Sequence, residues 1–384
     1  MAEDWRNGGF GLYIHWPFCQ SKCPYCDFNS HVAETIDQDR WARAYISEIR
    51  RYAAQTKDRV LNTVFFGGGT PSLMKPETVN AILDEVRAGW TLANDLEVTL
   101  EANPGSVEAG RFAGYADAGV NRISMGFQAL NDRDLKRLGR LHSVEEARQA
   151  YDIAQECFDR VSFDLIYARQ DQSLTYWRAE LSEALSMGVD HLSLYQLTIE
   201  QGTAFGDRYN AGRLRGLPED DDAADMYLAT QEICEKAGMP AYEVSNHAQS
   251  GQESRHNLIY WRYGDYVGIG PGAHGRLTLG GNRYATDTLL APGAWLKAAE
   301  VGSADKGRTL LSGTDQAVEY LMMSLRLSEG SSIERYQQLN GDALPDRAIG
   351  HLTDLGLVRV SGGYLKATTM GRPVLNGVLR ELLA

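Results

Sequence analysis

The chain has 384 residues, 43% hydrophobic and 23% charged, which suits two or three domains or one large α/β barrel with an appendage. Its 38 Lys plus Arg against 51 Asp plus Glu give a net charge of -13, which disfavours non-specific binding to nucleic acid or anionic lipid. No apolar run approaches the ~18–20 residues that cross a bilayer, and residues 1–7 lack a secretory signal, so a cytoplasmic protein without a transmembrane segment is expected.

From the N-terminus, short β-branched and aromatic runs alternate with segments of helical period, the pattern of βα units around a parallel sheet. Strands are predicted at 12–15, 63–66, 97–101, 122–126, 160–166 and 191–197, with helices at about 37–55, 76–89, 107–118, 143–157 and 173–187. Such a series predicts an α/β fold, an incomplete TIM-like (β/α)6 barrel over residues 1–200, whose reacting groups gather at the C-terminal ends of the strands. Those ends carry the cysteine-rich loop after the first strand, Gly67-Gly68-Gly69-Thr70-Pro71, Glu101-Ala102-Asn103-Pro104, and Gln128. Residues 201–313 read as an extension of the barrel: a helix at about 219–237, the stretch 242–246, a Gly-rich run over 264–275, and a linker over 290–313. Residues 314–384 read as three helices, two short strands about a Ser361-Gly362-Gly363 turn, and a last helix, a winged-helix-like domain. Residues 316–384 hold seven basic and seven acidic side chains, so a packing or partner-docking role is expected rather than DNA binding.

Of five cysteines, Cys157 and Cys234 stand alone in helical segments and read as small packed residues. Cys19, Cys23 and Cys26 share one compact loop, where the chemistry is expected. A closed zinc site there needs a fourth ligand, for which His15 is the candidate. Iron–sulfur cubanes ordinarily take four thiolates, so three leave one iron open to a small molecule. The three glycines after the second strand suit either close approach of a ligand to the backbone or a simple strand-to-helix turn. Glu101 offers a carboxylate to an ammonium or to ribose hydroxyls, and Gln128, Arg140 and Asp164 fall where neighbouring strands deliver their loops.

The cysteine spacing, with Tyr25 immediately before the third cysteine, resembles the signature of the radical S-adenosylmethionine (SAM) superfamily. That resemblance implies a [4Fe–4S] cluster on Cys19, Cys23 and Cys26 whose open iron binds SAM. Nearly the whole chain resembles the HemN/HemW branch, through Tyr13-Ile14-His15-Trp16-Pro17-Phe18-Cys19, Gly67-Gly68-Gly69-Thr70-Pro71-Ser72, Ser124-Met125-Gly126-Phe127-Gln128 and Asp164-Leu165-Ile166-Tyr167. By position in those motifs Tyr13, Gly68, Gly69, Thr70, Glu101, Gln128, Arg140 and Asp164 match the SAM-contacting residues of the branch. His256-Asn257-Leu258-Ile259-Tyr260-Trp261 matches the HNxxYW motif associated with haem binding in the HemW-like members. It implies His256 as an axial haem ligand flanked by Tyr260 and Trp261, with His247 and His274 as neighbouring alternatives. Phe28 stands where the oxidase members carry a further cysteine.

The resemblance therefore implies a haem chaperone with no catalytic residue assigned. It would pass haem to an apo-haemoprotein, a membrane-bound respiratory cytochrome being the expected class, and a homodimer is left open. The alternative it implies is an oxygen-independent coproporphyrinogen III oxidase using the same cluster and SAM. One departure stands out: Ala168-Arg169-Gln170 occupies the place of the usual Gly-Leu-Pro of the branch, which bears on the shape of the site.

Overall fold

The computed structural model describes residues 3–105 and 109–384. Its first half runs β1 (Phe10–Trp16), β2 (Phe18–Cys19), β3 (His31–Val32), α1 (Gln38–Gln55), β4 (Val60–Gly68), α2 (Pro76–Gly89), β5 (Thr91–Ala102), α3 (Phe112–Ala118), β6 (Arg122–Gln128), α4 (Asp132–Arg137), α5 (Val144–Cys157), β7 (Arg160–Tyr167), α6 (Leu174–Ser186) and β8 (His191–Gln196). Each predicted strand is present, and the helices stop or start where capping dictates. Ser143 with Glu146 forms a capping box at α5, and Ser173 caps α6. The expected start of the third helix at 107 lies outside the described residues.

The two faces of the strands explain the barrel. On β1 the residues Phe10, Leu12, Ile14 and Trp16 are wholly buried against the outer helices, while Gly11, Tyr13 and His15 point to the lumen. The parallel register carries this alternation around the sheet, pairing Tyr13 with Phe65, Thr63 with Glu97, Glu101 with Ser124, Ser124 with Ser162, and Asp164 with Ser193. The lumen is thus polar where TIM barrels usually hold aliphatic layers. Outside, Trp16, Trp41, Tyr45 and Trp295 form an aromatic cluster in which Trp41 stacks on Trp295 at 5.5 Å between ring centroids. Each such side chain contributes about 1.5–3 kcal/mol of burial.

After α7 (Ala204–Asn210) and α8 (Asp220–Lys236) come β9 (Asn246–Ala248), α9 (Arg255–Trp261), β10 (Asp265–Ile269), β11 (His274–Leu279), β12 (Asn282–Thr288), α10 (Pro292–Glu300) and β13 (Asp305–Leu310). The sheet has eleven strands in the order β13-β12-β11-β10-β1-β4-β5-β6-β7-β8-β9, so the six expected strands form its contiguous parallel centre and the barrel stays open. Residues 290–313, expected to be a linker, are instead structured. Pro292 starts α10, which buries Trp295 against α1, and β13 pairs with β12. The edge strand leaves no periodic signal in the sequence because almost all of its side chains are exposed and polar.

The final region is α11 (Gly313–Ser324), β14 (Ser331–Ser332), α12 (Ile333–Asn340), α13 (Asp346–Asp354), β15 (Val358–Ser361), β16 (Tyr364–Ala367) and α14 (Leu375–Leu382). Gly362 and Gly363, both at positive φ, close the β15–β16 hairpin as a two-residue turn requires. This region has its own core, including Tyr320, Leu321, Leu352, Leu365 and Leu379, and Tyr263 joins it from the barrel side. Arg335 ties the seam, donating to Asp4 Oδ1 and Oδ2 at 2.8 Å each and to the Arg262 carbonyl at 2.8 Å. Among the described residues no helix is long and apolar enough to cross a membrane.

The base of the lumen is stoppered by α9. Glu97, 2% exposed, accepts Arg160 Nη1 at 2.5 Å and the backbone N–H groups of Arg255 and His256 at 3.2 and 3.1 Å. It therefore holds both the partly buried Arg160 guanidinium and the first turn of α9, whose N–H groups have no partner inside the helix. Glu97→Ala should destabilise the fold by about 1–3 kcal/mol, because the Arg255 and His256 N–H groups lose their acceptor and Arg160 its carboxylate. A urea unfolding midpoint equal to that of the wild type would contradict this reading.

Candidate functional site

The cysteine loop is fastened to the end of β4 through the backbone. The Gly69 N–H donates to the Trp16 carbonyl at 2.7 Å, and the Thr70 N–H donates to the Phe18 carbonyl at 2.8 Å. A methyl group added at Gly69 would lie 2.7 Å from the Phe18 oxygen, and one at Gly68 would lie 2.6 Å from the His15 ring. Gly68 also has φ +111°, a conformation that side chains resist. The glycine run thus serves close approach, of the cysteine loop at Gly69 and of the His15 ring of β1 at Gly68. The Thr70 hydroxyl donates to Cys19 Sγ at 3.4 Å.

Above these strand ends lies an open cavity of about 370 Å³, within the range of small-molecule and cofactor sites. Its walls bring together Cys19, Cys23, Cys26, Gly68, Gly69, Thr70, Glu101, Gln128, Arg140 and Asp164. Tyr13 is not part of the wall. It lies one level deeper, its ring facing Phe65 and His256 and its hydroxyl 3.0 Å from His15 Nδ1. His15 Nε2–H in turn donates to the Asn29 carbonyl at 3.0 Å, so both ring nitrogens are engaged and His15 is not poised as a fourth zinc ligand.

Arg140 is the crosspiece of the opposite wall. Nη2 donates to Asn103 Oδ1 at 2.7 Å and to the Gly126 carbonyl at 2.8 Å, and Nη1 lies 3.5 Å from Cys23 Sγ. Asn103, Ser124 and His142 line the cavity too and were not singled out in the sequence as site residues. The position of Asn103, directly after the Glu101 strand end, was the available signal; His142 had none. His142 Nε2–H donates to the Phe127 carbonyl at 3.2 Å. Burial, aided by Arg140, pushes its pKa down to about 4, so it stands neutral at the wall.

Two carboxyls set the electrostatics. Burial, and next the nearby Asp164, pushes Glu101 up to about 8, against the Gly68 N–H that donates to it at 3.2 Å. Burial pushes Asp164 up to about 6, opposed by Ser193, Arg122 and Arg140. A cationic ligand beside this pair favours their ionised forms. Burial also raises the thiol pKa of Cys19 and Cys26, the state a bound metal reverses, since a coordinating thiol is deprotonated. Three thiols on one side and two cation-hungry carboxyls on the other fit a cluster with a cationic ligand at its open iron.

His256 lies elsewhere, inside the base of the lumen and 1% exposed. Nδ1 is 2.7 Å from the Thr63 hydroxyl, Nε2 is 2.6 Å from the Tyr260 hydroxyl, and the ring stacks on Phe65 at 5.0 Å. Burial, then Arg122, pushes its pKa down to about 3. The imidazole is therefore neutral, as an iron ligand must be, yet no nitrogen is free while α9 stays in place. Tyr260 shares the lumen with it, whereas Trp261 faces Arg326 of the C-terminal region, with 4.7 Å from guanidinium to ring. His247 is wholly buried, and exposed His274 pairs with Asp287 at 2.5 Å. None of the three histidines lines the cavity. Cys234 is wholly buried and Cys157 partly so.

Comparison with known proteins places these features in context. The model of the Radical SAM superfamily matches residues 13–174, and that of the HemN C-terminal domain matches residues 311–374. The heme chaperone HemW of Escherichia coli K12 is 39% identical over 97% of this chain and 98% of its own length. The HemW of Mycobacterium tuberculosis H37Rv is 38% identical over 97% of this chain and 95% of its own. A mitochondrial radical S-adenosyl methionine domain-containing protein 1 of Bos taurus is 38% identical over 97% and 87%, respectively. Among solved structures, the coproporphyrinogen III oxidase HemN of Escherichia coli, a radical SAM enzyme, matches with a TM-score of 0.82 at 20% identity, covering 97% of this chain and 90% of its own. At that identity the likeness establishes the shared fold.

Two outcomes are expected from this geometry. Gly69→Ala forces apart the Phe18 carbonyl and the end of β4, so iron content per chain after anaerobic reconstitution should fall well below that of the wild type; full iron loading would show that the backbone contact is dispensable. Because burial raises the Glu101 pKa above that of the unfolded chain, its stabilising contribution is complete below the ordinary value of 4.5, declines as pH rises, and is gone above about 8. Glu101→Gln should accordingly flatten the loss of thermal stability of the ligand-free protein across that window, and an unchanged pH profile would contradict the assignment.

Proposed function

The chain belongs to the radical SAM superfamily and, within it, to the branch of HemN and HemW, and from that premise we propose that it is a haem chaperone that carries a [4Fe–4S] cluster and SAM and passes haem to apo-haemoproteins. The observation that carries this reading is likeness along the whole chain, 39% identity over 97% of it, to a protein named as a heme chaperone. Phe28 at the cavity mouth, where the oxidases of the branch carry a cysteine, favours the same side.

In this reading Cys19, Cys23 and Cys26 hold the cluster. When bound, the cluster supplies one-electron chemistry to SAM at its open iron. The chain's own residues do the positioning. Gly68 and Gly69 present backbone, Thr70 steadies Cys19, Glu101 and Asp164 offer countercharge, and Gln128 and Arg140 close the far wall. Tyr13 contributes from below, through His15. His256 binds haem iron only once α9 withdraws from the lumen, which breaks the Thr63 contact, and Tyr260, which travels on the same helix, turns away from Nε2. The recipient we expect is a membrane-bound respiratory cytochrome met at the cytoplasmic face, with the C-terminal region as the docking element.

An anaerobic haem titration of reconstituted protein, wild type beside His256→Ala, tests this. Saturable binding seen in the Soret band and lost in the variant is the expected result. Binding indifferent to the substitution would remove His256 from the site. Absence of haem binding together with conversion of coproporphyrinogen to protoporphyrinogen, given SAM and a reductant, would replace the chaperone with the oxidase. Replacing any of the three loop cysteines by Ala should abolish the cluster absorption, and zinc without iron or sulfide in the purified protein would sink both readings.

A further inference from the structure

We propose that Arg169 is a positioning residue for the SAM site: its buried guanidinium clamps the backbone of Gln128 in a left-handed conformation and so aims the Gln128 side chain at the cavity. The inference rests on the SAM reading above, and it accounts for the Ala168-Arg169-Gln170 departure.

Gln128 ends β6 with φ +73°, one of few non-glycine residues at positive φ, and the β6–β7 register shifts between Met125 and Gln128. Such a residue holds that conformation only where its surroundings over-determine it. Arg169 supplies the determination. It is 2% exposed. Nη1 donates to the Ile166 carbonyl at 2.6 Å and to the Gln128 carbonyl at 3.3 Å, bridging the ends of β7 and β6. Nη2 donates to Asp134 Oδ2 at 3.0 Å and Glu180 Oε2 at 2.7 Å. Glu180 then accepts the Leu130 N–H at 2.8 Å, two residues past Gln128. One ion cluster thus grips the turn after β6 on both sides of its bend. Ala168, at φ +56°, pays a conformational penalty to deliver Arg169 into it.

On the cavity side, a methyl group added at Gly126 would lie 2.9 Å from Gln128 Nε2 and 3.2 Å from Arg140 Nη2. The Gln128 amide therefore lies over Gly126 beside the Arg140 guanidinium, where a change of backbone angle would displace it. An aliphatic side chain at position 169 could fill the space but could not hold a carbonyl.

The test is SAM affinity of the cluster-reconstituted protein by equilibrium dialysis. Arg169→Met is combined with Glu180→Gln so that the closest ion pair leaves together; Asp134 keeps Arg137 at 3.9 Å. SAM binding should weaken about tenfold with cluster absorption unchanged, and the same change in a Gln128→Ala background should cost nothing further. Equal losses in both backgrounds, or no loss, would overturn the proposal and leave the SAM site standing. A wild type that binds no SAM would remove the premise and the proposal with it. Should the double variant not fold, Arg169→Lys, which keeps a charge but cannot reach the carbonyls and carboxylates together, carries the same comparison.

Discussion

The contact on which the site depends is the pair of backbone hydrogen bonds from Gly69 and Thr70 to the carbonyls of Trp16 and Phe18. They continue the β1–β4 pairing past the end of the sheet, into a loop that is closed on its other side by the short β2–β3 pair. The loop cannot come this close unless the β4 end lacks side chains, because the Phe18 oxygen and the His15 ring occupy the space that Cβ atoms would take. Three consecutive glycines are costly in backbone entropy, and this is the arrangement that their cost makes available. The cysteines gain fixed positions relative to Glu101, whose carboxylate accepts the Gly68 N–H, and so both sides of the cavity are referenced to one strand end.

The polar lumen follows from the same strands. Alternation that buries Leu12, Ile14, Val64 and Phe66 outward must turn Tyr13, His15, Thr63 and Glu97 inward. Polar groups in a closed interior need partners, and α9 supplies many of them. Glu97 meets its first N–H groups and Thr63 meets its His256, while Arg122 and Ser162 satisfy each other across β6 and β7 at 2.9 Å. A continuous series of contacts leads from His256 to Tyr13, from Tyr13 to His15, and from His15 to Gly68 at the cavity floor. His256 and the strand-end cavity are therefore two ends of one packed core, though His256 does not line that cavity.

What was legible in the sequence was whatever local chemistry spells out: strands with a fixed period, capped helices, a glycine pair in the final hairpin, and cysteines at a spacing that few other purposes explain. The cavity itself was legible because strand ends of a barrel converge by topology. Three things were not. The α10–β13 segment is short and its strand is exposed, so it carries no periodic signal. The depth of Tyr13 depends on how far β1 extends below the cavity, which motif position does not encode. His256 reads as a free ligand beside two aromatic residues, yet in a helix Tyr260 falls one turn on and bonds the imidazole while Trp261 turns away to Arg326.

The burial of His256 bears on how a carrier would hold its cargo. A carrier must give haem up, so strong ligation is a disadvantage. Withdrawing α9 breaks the Thr63 hydrogen bond, worth about 0.5–1.5 kcal/mol, and exposes the Glu97 carboxylate and the Phe65 and Tyr13 faces, while the Tyr260 bond lies within α9 and is given up separately. If His256 is the haem ligand, affinity would scale with the fraction of molecules in which α9 is out, and these contacts, with the Arg335, Arg262 and Glu329 links that pin the far end of α9 to the C-terminal region, would keep that fraction small. A partner that loosened those links would raise the competent fraction, and their re-formation would compete with iron for His256. The same contacts that close the base of the barrel would then set the terms on which haem enters and leaves.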